Sequence, residues 1–176
     1  KYDTINFKHY MPIKTIRTNS DGSQYATKTS YPPEFNVTTV TDPASIAIKT
    51  MVDSFFINSP VETVNTLKKS GTEYVTGGQT IKSKNFNGNF TFPNEEWKLG
   101  IITPILYSSF NFATISGGNF SINSNYYQTS TLGKYDTKGN LQEWNKKDDQ
   151  VSSILYGQNQ TVPTASVRNS ISTECA

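Results

Sequence analysis

The chain has 176 residues, a formal net charge of +2, 34% hydrophobic residues and only 17% charged ones. That length suffices for one domain with a core, while so few charges exclude a nucleic-acid surface, which needs clustered Lys and Arg. The apolar deficit is filled by 23 Thr, 19 Ser and 17 Asn, and with aromatics at 12% the balance favours sheet over disorder.

Residues 4 to 31 read as two strands around Asn19-Ser20-Asp21-Gly22, where Asp-Gly supplies the positive φ of a tight hairpin. The second arm, Gln24 to Tyr31, alternates Tyr25, Thr27, Thr29 and Tyr31 on one face, and Pro32-Pro33 ends it. A helix near 43–56 follows, with Asp42 as N-cap and Pro43 at the first helical position. Ile48, Met51, Val52 and Phe55 form its apolar stripe, and Asn58-Ser59-Pro60 stops it. Strands Val61 to Lys69 and Thr72 to Phe86 flank Ser70-Gly71, with a bulge expected at Gly77-Gly78. Asn87-Gly88-Asn89 reads as a turn before Phe90-Thr91-Phe92-Pro93. Trp97, Leu99 and Ile101 alternate. Ser108 to Ile115 reads as a strand ahead of Gly117-Gly118, and Phe120, Ile122 and Tyr126 continue the pattern. The expectation is a mainly β fold, an antiparallel meander, sandwich or barrel-like shell, with one packed α-helix.

The chain has one cysteine, Cys175, and one histidine, His9. They cannot make an internal disulfide, and they offer too few donors for a His/Cys metal site. No metal and no cofactor is expected. The most apolar run, Ile101 to Tyr107, is interrupted by Pro104 and falls far short of the roughly 20 residues that span a bilayer. No transmembrane segment is expected. The opening Lys1-Tyr2-Asp3 lacks a basic n-region or an apolar h-region and reads as internal to a longer chain. No nucleophile elbow, HExxH or phosphate loop occurs. The adjacent carboxylate pairs Glu95-Glu96 and Asp148-Asp149 would point to opposite faces of a strand, so no catalytic residue is assigned and the chain reads as a non-enzyme. Trp97, Tyr126, Tyr127 and Trp144 are candidates for stacking on a sugar ring, with Asn and Thr supplying hydrogen bonds. Filling the core is the competing role for each.

Tyr135-Asp136-Thr137-Lys138-Gly139-Asn140-Leu141 is the most informative stretch. Gly139 supplies a conformation that other residues resist. Tyr135 and Leu141 flank the turn as a cross-strand pair, and Asp136 can bond its own turn backbone. Beyond it come Val151, Ser152, Tyr156, Gly157, Asn159, Pro163, Ala165, Val167 and Asn169. Together these residues resemble the YD-repeat (RHS-like) proteins of Bacteroidota, most specifically over 134–169. The order departs from that pattern at Ser153 and Gln158, where aromatics are usual.

The resemblance implies three parts: a β-rich segment over 1–133, YD hairpins over 134–169 and a linker over 170–176. It implies a structural, non-catalytic β-repeat segment of a large exported cell-surface protein, serving as scaffold, adhesin or casing. Type IX secretion, neighbouring repeats of the same polypeptide, and other cell-surface or secretion-complex proteins are the implied context. Asp3-Thr4-Ile5 resembles the Bacteroidota O-glycosylation motif, which marks Thr4. The alternative is a carbohydrate-binding or adhesive β-domain with glycans as partners.

Overall fold

The computed structural model describes residues 9–86 and 90–173. The expectations for Tyr2-Asp3, Thr4, Asn87-Gly88-Asn89 and Cys175 fall outside them. The fold is mainly β with one helix, as expected. Five strands come first: β1 (Lys14–Thr18), β2 (Gln24–Ser30), β3 (Glu62–Lys69), β4 (Thr72–Phe86) and β5 (Phe90–Leu99). Three short ones follow: β6 (Ile105–Leu106), β7 (Thr114–Ser116) and β8 (Asn119–Ser121). The last four are β9 (Tyr126–Tyr135), β10 (Leu141–Lys146), β11 (Ser152–Gly157) and β12 (Val162–Arg168). One sheet runs in the order β1-β2-β3-β4-β5-β9-β10-β11-β12, with β6 added beside β4, and every pairing is antiparallel. β7 and β8 form a separate two-stranded sheet.

Local chemistry explains the turns. Gly22 takes φ 78°, and the Asp21 carboxylate accepts from the Ser23 amide and hydroxyl. Ser70 and Gly71 both take positive φ, at 50° and 84°, as a two-residue primed hairpin requires. The bulge expected at Gly77-Gly78 appears one residue earlier. Thr66 pairs with Val75 and Asn65 with Gly77, which leaves Thr76 as the extra residue.

Helix α1 (Pro43–Asp53) begins as its sequence indicates, with the Asp42 carboxylate accepting from the Ser45 amide. It ends sooner than expected. Ser54 closes it, and Phe55 turns to φ 57° and lies 86% exposed. The buried stripe is therefore Ala44, Ala47, Ile48 and Met51, without Phe55.

The strand expected over Ser108 to Ile115 is the larger correction. Only Thr114–Ser116 forms a strand there, and a 3-10 turn occupies Tyr107–Ser109. The segment between β5 and β9 is instead a plug folded over the sheet. Phe110 joins Val64, Val75 and Tyr126 in one core cluster, with Trp97, Leu99, Ile101, Ile105 and Phe112 packed around it. The β7–β8 hairpin supplies Phe120 to a second cluster with Phe35, Ala44, Ile48 and Val61. Its tip is tied to the helix start: the Thr41 amide and the Ser45 hydroxyl both donate to the Gly118 carbonyl. Pro104 interrupts the apolar run Ile101 to Tyr107, leaving only Ile105–Leu106 as strand, and Ile101, Ile105 and Tyr107 pack onto the sheet cluster. No helix among the described residues is long and apolar enough to cross a membrane.

Candidate functional site

The turn between β9 and β10 joins the most specific sequence motif to a definite geometry. Tyr135 pairs with Leu141 across the hairpin. Gly139 takes φ 86° and donates its amide to the Asp136 carbonyl. Asp136 Oδ1 accepts from the amides of Lys138 and Asn140, and Oδ2 accepts from the Asn140 side chain. Burial alone would raise this carboxyl. The hydrogen bonds from Asn140, Lys138 and Gly139 outweigh burial and hold it below the usual carboxylate value.

Tyr135 is buried and stacks on Phe92 with ring centroids 4.7 Å apart, and its hydroxyl donates to the Pro93 carbonyl at 2.7 Å. Burial, helped by the nearby Glu96 charge, pushes its hydroxyl up to about 12. The turn also grips the hairpin beyond it. The Lys138 ammonium donates to the Asn159 carbonyl, and the Asn140 amide side chain donates to the Gln160 carbonyl at 2.7 Å. Tyr156 donates its hydroxyl to the Leu141 carbonyl at 3.1 Å. Gly157 lies so close to Thr164 that a Cβ there would fall 2.7 Å from the threonine methyl. Pro163 sits on the outermost strand opposite Tyr156, beside the bulge that leaves Thr164 unpaired, a place where the missing N–H costs nothing.

The boundary drawn at 133/134 falls inside β9, so one sheet carries both proposed parts. The start of the expected linker is docked. Ser172 donates its amide and hydroxyl to Glu143, and Ser153 donates to the Ser170 carbonyl.

The four candidate stacking aromatics do not form a row. Tyr126 is buried in the core, and Trp97 packs against the same cluster, with its indole N–H donating to Glu95 and the Lys82 ammonium over its ring. Tyr127 is 50% exposed and covers Gly100. Trp97 borders a small groove of about 270 Å³, and Trp144 lines a larger open one of about 500 Å³. Since Trp97 and Leu99 turn to the core, Glu96 and Lys98 face the other way and line this groove. Glu96, Ser130 and Lys146 lie opposite one another on β5, β9 and β10, and Trp144 pairs with Leu132 beside them. The Ser130 hydroxyl donates to Glu96 at 2.5 Å. Paired residues share a face, so these side chains form one surface.

Sequence reasoning missed Glu62. It is 2% exposed, accepting from the Tyr126 hydroxyl at 3.1 Å and the Ala113 amide at 3.0 Å. Burial pushes its carboxyl above the ordinary value, against those two bonds and the charge of Lys28. Burial and the Glu62 charge likewise raise the Tyr126 hydroxyl. Gly78 makes room, since a Cβ there would lie 2.8 Å from the Tyr126 hydroxyl oxygen. The signals were a lone acid opening a strand and an otherwise unneeded second glycine.

The adjacent carboxylates diverge: Glu95 bonds Trp97 while Glu96 bonds Ser130. Asp148 and Asp149 are exposed in the β10–β11 turn. His9 is buried edge-on to Tyr31 and accepts from the Met11 amide. Among the described residues no three His, Cys, Asp or Glu side chains gather as a metal-binding group. No family model, curated protein or solved structure matches the chain.

Proposed function

We propose that the chain is a non-catalytic structural segment of a large exported cell-surface protein, a β ribbon similar to YD repeats that packs against neighbouring repeats. The observation that carries this reading is the strand order. The main path is laid down in sequence order, by hairpins except where the helix stands between β2 and β3 and the plug between β5 and β9, and it does not close on itself. Such a sheet can be extended at either side without rearranging what is already built. Its outermost strands, β1 and β12, are largely exposed. The Tyr135–Leu141 turn supports the reading at the residue level, because each motif side chain has a structural task there. The surface location and the type IX route rest on the resemblance alone.

The test is a thermal melt of the 176-residue chain combined with sedimentation across concentrations. A segment that relies on neighbours melts broadly or at low temperature and associates as concentration rises. A sharp two-state melt of a strictly monomeric chain would count against the reading. A second reading, a carbohydrate-binding or adhesive β-domain, is favoured by one observation, the open groove beside Trp144.

A further inference from the structure

We infer that the groove beside Trp144 binds an acidic saccharide, one carrying a sugar carboxylate such as a hexuronic acid. The inference extends the second reading by naming the ligand class. Four observations converge on it. The first is size, since about 500 Å³ lies within the range of small-molecule sites.

The second is the split between apolar and polar walls. Trp144, Leu132, Leu141 and Ile154 supply an apolar side to match the C–H face of a pyranose ring, with the indole as its platform. Glu96, Thr129 and Ser130 supply hydrogen-bonding groups for hydroxyls. The Ser130 hydroxyl already holds Glu96 Oε2. That fixes the carboxylate and leaves Oε1 to accept from a sugar hydroxyl.

The third is charge. Lys98 and Lys146 both line the groove, and neither ammonium has an ion-pair partner among the described residues. With Glu96 as the one acid among the lining residues, the groove carries a net charge of about +1. A neutral sugar would leave that net positive charge uncompensated, whereas a sugar carboxylate neutralises it and makes charge-assisted hydrogen bonds with a lysine. The fourth is that none of these side chains belongs to either core cluster. All but Ile154, which is on β11, sit on the adjacent hydrogen-bonded strands β5, β9 and β10, so most of the site is formed before the ligand arrives.

The experiment titrates the chain with a galacturonic acid disaccharide and separately with its methyl ester, which keeps the ring and removes the charge. Binding is followed by amide chemical shifts and by tryptophan fluorescence. The acid is expected to bind about fivefold tighter than the ester or better, with the gap narrowing as salt is added. Shifts should centre on Glu96, Lys98, Ser130 and Trp144. Trp144→Ala should abolish binding of both. The paired exposed changes Lys98→Gln and Lys146→Gln should leave acid and ester bound equally, and they carry the test should Trp144→Ala fail to fold. Equal affinity of acid and ester for the unmodified chain overturns the acidic specificity while the saccharide reading stands. No binding of either at millimolar concentration, or shifts that centre elsewhere, overturns both.

Discussion

Gly139 is held by two independent constraints. Its φ of 86° suits only a residue without a Cβ, and a Cβ built there would lie 2.7 Å from the Phe92 ring. Gly139→Val is therefore expected to cost more than about 2 kcal/mol, from a left-handed backbone and an overpacked contact together. Lys138→Ala removes one exposed hydrogen bond, to the Asn159 carbonyl, and should cost about 0.5 kcal/mol or less. Chemical denaturation of both variants checks the contrast, and equal costs would mean that the turn does not depend on its glycine.

Glu62 gives a prediction of the opposite kind, one of pH. The folded chain holds the Glu62 proton more tightly than the unfolded chain does, because burial raises the carboxyl above 4.5. Its contribution to stability therefore falls as pH rises from that unfolded value through the raised folded one. Glu62→Gln keeps an acceptor for the Ala113 amide and offers a donor to the Tyr126 oxygen, so it removes this slope. Subtracting the pH–stability curve of E62Q from that of the unmodified chain isolates the effect. The subtraction matters because Glu73, Asp136 and Glu143 are shifted down and lose their contribution in acid. A difference curve that is flat or rises with pH would refute a buried, raised carboxyl. Glu62→Ala leaves the Ala113 amide and the Tyr126 hydroxyl unpaired and should cost about 2 kcal/mol or more even at pH 5.

Among the elements, the β11–β12 hairpin is attached in an unusual way. β10 and β11 share only two register pairs, Glu143 with Ser153 and Trp144 with Ser152. The rest of the attachment comes from side chains: Lys138 and Asn140 to the carbonyls of Asn159 and Gln160, Tyr156 to Leu141, and Glu143 to Ser172. The turn at its far end carries Gln158, Asn159 and Gln160 all at positive φ, a conformation that costs non-glycine residues about 1–2 kcal/mol each. This hairpin is expected to open before the rest of the sheet. Asn140→Ala removes the bonds to both Asp136 and Gln160 and should speed amide hydrogen exchange in β11 and β12 selectively. Exchange at Val64 and Val75, which are fully buried in the core, should not change. A uniform acceleration would show instead that the hairpin and core unfold together.

Over the whole molecule the core is lopsided. The two apolar clusters draw on the helix, on the plug between β5 and β9, and on the strands β3 to β5 and β9 beneath them. β1 and β12 contribute no residue to either cluster and are the most exposed strands of the main path. Lys14 and Arg17 on β1, and Pro163 and Arg168 on β12, are the residues that natural edge strands use against indiscriminate pairing. With one helix of 11 residues, circular dichroism should report helix well below the roughly one-third of an average globular protein. A helical fraction at or above that level would contradict the fold.

The parts legible in the sequence are those whose causes lie within a few residues of one another. Asp21-Gly22, Ser70-Gly71 and the Asp136–Asn140 turn are closed by bonds and φ values internal to the turn, and the helix start by Asp42 and Ser45 three positions apart. Strand alternation was equally local, which is why the mainly β fold with one helix could be expected. What alternation cannot supply is the identity of the covered face. Trp97 packs against the core cluster and Glu96 lines the groove because Phe110 and Phe112, on a separate segment, join that cluster on one side of the sheet. The same plug buries Glu62, whose partners Ala113 and Tyr126 lie 51 and 64 residues away. Trp144 lines a groove because no such segment covers β10. Sidedness, burial and the groove follow from which distant segment packs on which face, and residue spacing along one strand carries no record of that.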